Sequence, residues 1–156
     1  MKNKTYLKMS IFIITLLLLD QLVKIYVSIN KNSILIKNFI DITYIENYRG
    51  AFGLGGSNTL FFIIITGIVI GIILKFIISQ KDRLEQKTIY ALSFILAGAI
   101  GNLIDRLFRG FVIDYIDIRS IMRFPVFNLA DIYIVCGWIF LVIVIGIYTF
   151  LEKGNK

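Results

Sequence analysis

Four long apolar runs divide this chain, at about residues 9–27, 60–78, 88–107 and 129–151. Each is long enough to cross a hydrocarbon layer of roughly 30 Å, which takes ~20 helical residues. Three of the runs carry polar interruptions. Asp20, Gln21 and Lys24 break the first, Asn102, Asp105 and Arg106 end the third, and Asp131 opens the fourth. Charges at membrane depth are costly and are kept where they are paired or functional. The pattern predicts a mainly α membrane protein, with four transmembrane helices forming one integral membrane domain over residues 1–156.

The links between the runs are unequal. Residues 79–87 form a short charged turn with Lys81, Asp82, Arg83, Glu85 and Lys87. The link over 28–59 alternates apolar and polar positions through Phe39-Ile-Asp-Ile-Thr-Tyr-Ile-Glu46, the period of a half-buried strand. Its Gly-rich end, from Arg49 to Ser57, reads as turns. The link over 108–128 is a second structured segment and holds the only proline, Pro125. Together they predict a small β-containing extracytoplasmic subdomain beside the four helices.

Composition agrees with a membrane class. Of 156 residues 58% are hydrophobic, and the mean hydropathy is +0.83. The net charge of +7 lies mostly beside the apolar runs, so anionic headgroups and span orientation explain it without nucleic acid. Lys2, Lys4 and Lys8 precede the first run, Lys81, Arg83 and Lys87 lie in the short link, and Lys153 and Lys156 close the chain. That bias predicts cytoplasmic termini and outward-facing long links. No small-x-small site follows Ile11 to Leu19, so the first run reads as a retained anchor rather than a signal peptide. The chain has no histidine, which excludes Ser-His-Asp and Cys-His catalysis and His-based zinc sites. The single Cys136, inside an apolar run, reads as packing.

The polar residues fall into small groups, each with a plain structural reading. Asp20 and Lys24 are four apart on one helix face, spaced as an ion pair. The same Asp20 would also suit orienting a site at the outer membrane edge. Asn102 and Arg106 share the next such spacing, with Asp105 on a neighbouring face and Ala97 and Gly101 on a close-packing face. Gly67 and Gly71 have the same small-xxx-small spacing and read as packing. Asp114 and Asp117 are three apart, so one faces inward and the other solvent. Asn128 and Asp131 read as an N-cap and a first-turn acid. If Asp114 and Asp131 meet, like-charge repulsion separates their titrations and leaves one acid and one base, the pair that activates a water.

Five ordered segments carry a family resemblance. They are Asp20-Gln-Leu-Val-Lys24, Thr43-Tyr-Ile-Glu-Asn47 followed by Ala51-Phe-Gly53, Gly101-Asn-Leu-Ile-Asp-Arg106, Val112-Ile-Asp-Tyr-Ile-Asp117, and Phe124-Pro-Val-Phe-Asn-Leu-Ala-Asp131. In order and spacing they resemble lipoprotein signal peptidase, or signal peptidase II, over nearly the whole chain. The resemblance implies an aspartic endopeptidase of the bacterial plasma membrane that removes prolipoprotein signal peptides, cutting before a diacylglyceryl-modified cysteine. It implies Asp114 and Asp131 as the catalytic pair, with Asp20, Lys24, Asn47, Asn102, Arg106, Asn128 and Ala130 supporting or binding substrate. It implies no metal or cofactor. The expected partners are the modified prolipoprotein and membrane phospholipid, with the chain acting as a monomer at the extracytoplasmic face. One departure stands out: Asn47-Tyr-Arg-Gly-Ala-Phe-Gly53 puts Arg49 where the family pattern has glycine and Gly50 where it has alanine.

Other classes make different demands. A proton- or ion-coupled transporter needs acids near mid-membrane, whereas these gather at span ends. A non-catalytic assembly subunit would tolerate Asp→Asn at 114 and 131. A serine–lysine peptidase would rest on Lys24 and Ser28, four apart, with no other support. For the aspartic reading the substrate surface is expected to be an apolar groove closed over by the 28–59 link.

Overall fold

The computed structural model describes residues 2–31, 33–36, 39–49 and 58–154. Four helices form in chain order: α1 (Lys2–Asn30), α2 (Thr59–Ser79), α3 (Gln86–Phe108) and α4 (Leu129–Gly154). All four are long and apolar enough to span a membrane. In lipid a helix satisfies its own backbone hydrogen bonds, so runs this apolar have no cheaper conformation. The start of α1 and the α2–α3 link share one side, where the Tyr6 hydroxyl donates to the Lys81 carbonyl at 2.9 Å. The other side carries three strands, β1 (Ser33–Ile36), β2 (Ile40–Asn47) and β3 (Val112–Asp117), in an antiparallel sheet of order β1-β2-β3.

Helix α3 is the hub. Ala91, Leu92, Ile95, Leu96, Ala97 and Gly101 are buried along it, and α1, α2 and α4 pack around it. Two glycines set the α3–α4 distance. A Cβ on Gly98 would overlap the Ala130 carbonyl, and one on Gly137 would sit 2.8 Å from the Ala91 carbonyl oxygen and 2.6 Å from Ile95 Cγ1. Neither glycine stood out in the sequence. The pair that did, Gly67 and Gly71, meets nothing within 4 Å on exposed α2. Their spacing is real, but among the described residues no second helix lies over it. Gly137→Ala should therefore cost about 1–3 kcal/mol through overpacking, whereas Gly67→Ala should cost nothing and gain up to about 1 kcal/mol from helix propensity. Thermal midpoints of the two variants in detergent check this, and equal midpoints would remove the close-approach account.

Cys136 is exposed on α4, so it faces the lipid side instead of filling the interior. The expected strand over 39–46 corresponds to β2, while β3 was not anticipated. Gly110, at φ +84, turns the chain from α3 into β3. Phe127 then pairs with Ile116, exchanging hydrogen bonds of 2.7 and 3.1 Å, which holds the start of α4 against β3. Gly50 to Ser57, including the Ala51-Phe52-Gly53 motif, lie outside the described residues, so the proposed closing role of that stretch is not part of the structure described.

Candidate active site

The start of α4 is built by two side chains. Asn128 Oδ1 accepts from the Asp131 backbone N–H at 3.0 Å, and Asp131 Oδ2 accepts from the Asn128 N–H at 3.2 Å. This reciprocal cap satisfies donors that a helix start leaves free. It also fixes the Asn128 amide. With Oδ1 committed to the helix, Nδ2 donates outward, to Asp114 Oδ1 at 2.7 Å and Asn102 Oδ1 at 3.1 Å.

Asp114 lies within β3 and is held from two sides. Asn47, at the end of β2 and paired with Val112, donates to Asp114 Oδ2 at 2.7 Å. Asp114 and Asp131 line the same cavity of about 830 Å³. Its walls include Arg49 from just beyond β2, Asn102 and Arg106 from α3, the Phe124–Phe127 segment, and Ile134 and Val135 from α4. Burial, and then the neighbouring Asp131 carboxylate, push Asp114 up to about 6, while the Asn47 and Asn128 amides pull it back down. Asp117, three residues on, behaves oppositely. Arg119 and the Thr43 hydroxyl bind it, and the Arg119 pairing holds it down at about 2. Asp117 is buried as well, so neither acid faces open solvent as the spacing suggested; Asp114 is the one that lines the cavity, and Asp117 serves as an ion-pair anchor.

Beneath the cavity lies a buried ionic cluster. Lys24 and Asp20 pair at 2.9 Å, as their spacing predicted. Lys24 Nζ also meets Asp105 Oδ2 at 2.9 Å and donates to Asn102 Oδ1 at 3.1 Å. Its three protons thus have three acceptors. Asn102, its oxygen engaged, turns its Nδ2 to Asp131 Oδ1 at 2.8 Å. Asp20 Oδ1 accepts from the buried Ala130 N–H at 3.1 Å, so α1 helps hold the first turn of α4. Gly101 permits that reach, because a Cβ there would come within 2.7 Å of Asp20 Oδ2.

Sequence reasoning left three members out of the supporting group: Asp105, Gln21 and Arg109. Asp105 Oδ2 accepts from the Ile113 N–H at 3.2 Å, and Oδ1 accepts from Gln21 at 3.1 Å and pairs with Arg109. Arg109 also donates to Gln21 Oε1 at 3.0 Å. The signal was present: Asp105 and Arg109 repeat the four-residue spacing of Asp20 and Lys24. Arg106 takes a different place. Its guanidinium lies over the Phe62 ring at 5.1 Å and lines both the main cavity and a smaller one of about 280 Å³ between α2 and α4. Every sequence-predicted site residue therefore lines the cavity or belongs to the network bracing it. Such an arrangement can hold two carboxylates in fixed orientation against an apolar wall, which suits activation of a water beside a bound peptide.

Comparison with known proteins gives one answer. The family model described as signal peptidase (SPase) II matches residues 12–147. The chain is 46% identical over 123 residues to a lipoprotein signal peptidase of Caldanaerobacter subterraneus subsp. tengcongensis, covering 77% of each chain. It is 39% identical to the lipoprotein signal peptidase of Clostridioides difficile, covering 94% of this chain and 97% of that one. A solved structure described as a bacterial membrane enzyme, at 2.3 Å resolution, superposes with a TM-score of 0.82 at 28% identity, covering 96% of this chain and 91% of that one.

Proposed function

Because the chain belongs to the signal peptidase II family, we propose that it is an aspartic endopeptidase in which Asp114 and Asp131 jointly activate a water. Membership makes it a protease that removes signal peptides from prolipoproteins in a bacterial membrane. The single observation that carries the aspartic reading is the shared cavity, lined by two carboxylates that amide and backbone N–H groups each hold in place.

In this reading Asp131 takes a proton from the water as it attacks the scissile carbonyl carbon. Asp114 gives its proton to the carbonyl oxygen, forming a neutral tetrahedral diol. Collapse returns a proton to the leaving amine and regenerates the pair. Asn47 and Asn128 orient Asp114, while Asn102 orients Asp131 and is itself oriented by Lys24. The apolar wall takes the signal-peptide segment, and the cut falls before the diacylglyceryl-modified cysteine. The chain works as a monomer, the basic termini face the cytoplasm, and the sheet side faces outward.

The test is cleavage of a diacylglyceryl-modified prolipoprotein by the purified protein in lipid, with products identified by mass. Cleavage immediately before the modified cysteine supports the reading, and its absence beside a working family member would overturn it. A pH profile follows from the same assignment. Asp114 must be protonated to act, and it loses its proton near 6. As pH rises above that value, kcat/KM should fall about tenfold per unit. Asn47 stabilises the ionised form, so Asn47→Ala should move the falling limb to higher pH. A profile flat between about pH 5 and 8 would remove Asp114 as proton donor.

A further inference from the structure

Arg49 stands where the family pattern has glycine, and it lines the cavity that holds both carboxylates. Its backbone is fixed close to the chemistry. The Arg49 N–H donates to Asn47 Oδ1 at 2.9 Å, and the other end of that amide donates to Asp114 at 2.7 Å. The side chain is exposed, and among the described residues it makes no ion pair. Nearby acids are already engaged. Glu46 accepts the Tyr44 and Tyr48 hydroxyls at 3.1 and 2.8 Å, and each Asp114 oxygen holds an amide. The cavity thus has an uncommitted cation on its sheet side, away from the spans.

We propose that Arg49 is a specificity-determining residue that favours substrates carrying an acidic side chain a few residues beyond the scissile bond, on the mature side. This rests on the peptidase reading above. The signal-peptide side of the substrate lies along the spans, so the mature segment leaves past the sheet and the end of β2. A carboxylate there meets the guanidinium at the partly desolvated rim, where an Arg–carboxylate pair is stronger than in open water. An anionic lipid headgroup is the weaker candidate, because Arg49 is anchored to the residue that holds Asp114.

The experiment uses the full chain in neutral-lipid proteoliposomes. It compares two modified prolipoproteins differing only by Asp or Ser on the mature side, measured as a ratio within each variant. The unsubstituted protein should favour the Asp substrate by about fivefold in kcat/KM, less at high salt. Arg49→Gly should bring the ratio to about one, and Arg49→Glu should invert it in favour of the Ser substrate. A ratio near one in the unsubstituted protein, with both substrates cut, would overturn the proposal and leave the peptidase reading standing. A preference that survives Arg49→Gly would overturn it as well. Equal rates for both substrates that rise together with added anionic lipid would assign Arg49 to headgroups. No cleavage of either substrate would overturn both readings.

Discussion

Asp114→Asn and Asp131→Asn should each lower kcat by about 10³-fold or more, since each removes a proton-transfer partner from the same step. Both variants keep the shape of the side chain, so the loss should appear with the fold retained. The structural cost can be worked out for each. At position 114 the new amide must face two donors, Asn47 and Asn128, with one acceptor. Asn128 cannot turn, because its oxygen caps α4. Asn47 must therefore give way, at about 1–3 kcal/mol. At position 131 the new amide likewise faces two donors, Asn102 Nδ2 and the Asn128 N–H, with one acceptor, at about 1–3 kcal/mol. Single-turnover rates beside thermal midpoints separate chemistry from stability. Retention of more than a tenth of the rate in either variant would overturn the dyad.

Lys24→Met should produce the largest loss of stability in the molecule. Lys24 is completely buried, as are Asp20 and Asp105, which share its ammonium. Among the described residues, removing the ammonium leaves Asp20 with no cation and Asp105 with only Arg109. Breaking a buried pair by deleting one partner costs about 3–5 kcal/mol. Arginine should not substitute, because the three acceptors fit three protons on one nitrogen and a planar fork cannot meet them. Adding Asp20→Asn to Lys24→Met should recover part of the loss by removing the stranded charge. Detergent unfolding of the single and double variants checks this, and a loss below about 1 kcal/mol would show that the cluster contributes little.

What the sequence revealed follows distance along the chain. The four spans are legible from the length of the apolar runs. The Asp20–Lys24 pair and the Asn128–Asp131 cap are legible because both are local, with partners three or four residues apart. β2 is legible because apolar and polar residues alternate along Phe39 to Glu46, although its burial in the structure does not alternate. β3 is not: Val112 to Asp117 is short, and Asp114, Tyr115 and Asp117 are all buried, so no clean alternation survives. The partners of Asp105 are legible only in part. Arg109 caps its own helix four residues on, but Lys24 and Ile113 reach it through packing and the turn into β3, which no spacing encodes. The glycines make the same point. Gly67 and Gly71 have the motif without a neighbour, while Gly98 and Gly137 have the neighbour without the motif. Spacing states what a face can accept, and packing decides what arrives.

The buried cluster also bears on how the chain enters its membrane. Asp20 and Asp105, the two acids on which the helices converge, each have a cation four residues later, Lys24 on the same helix and Arg109 at the cap that ends α3. As each helix leaves the ribosome, its acid can be neutralised within one turn by a cation of its own segment, without a contact from another helix. Each segment can then partition into lipid without carrying an unmatched charge. The links that cross between helices, Lys24 to Asp105 and Asp20 to the Ala130 N–H, form afterwards, when α3 and α4 arrive. The same four residues thus act first as local counterions during biogenesis and later as the clasp that joins α1 to α3 and α4.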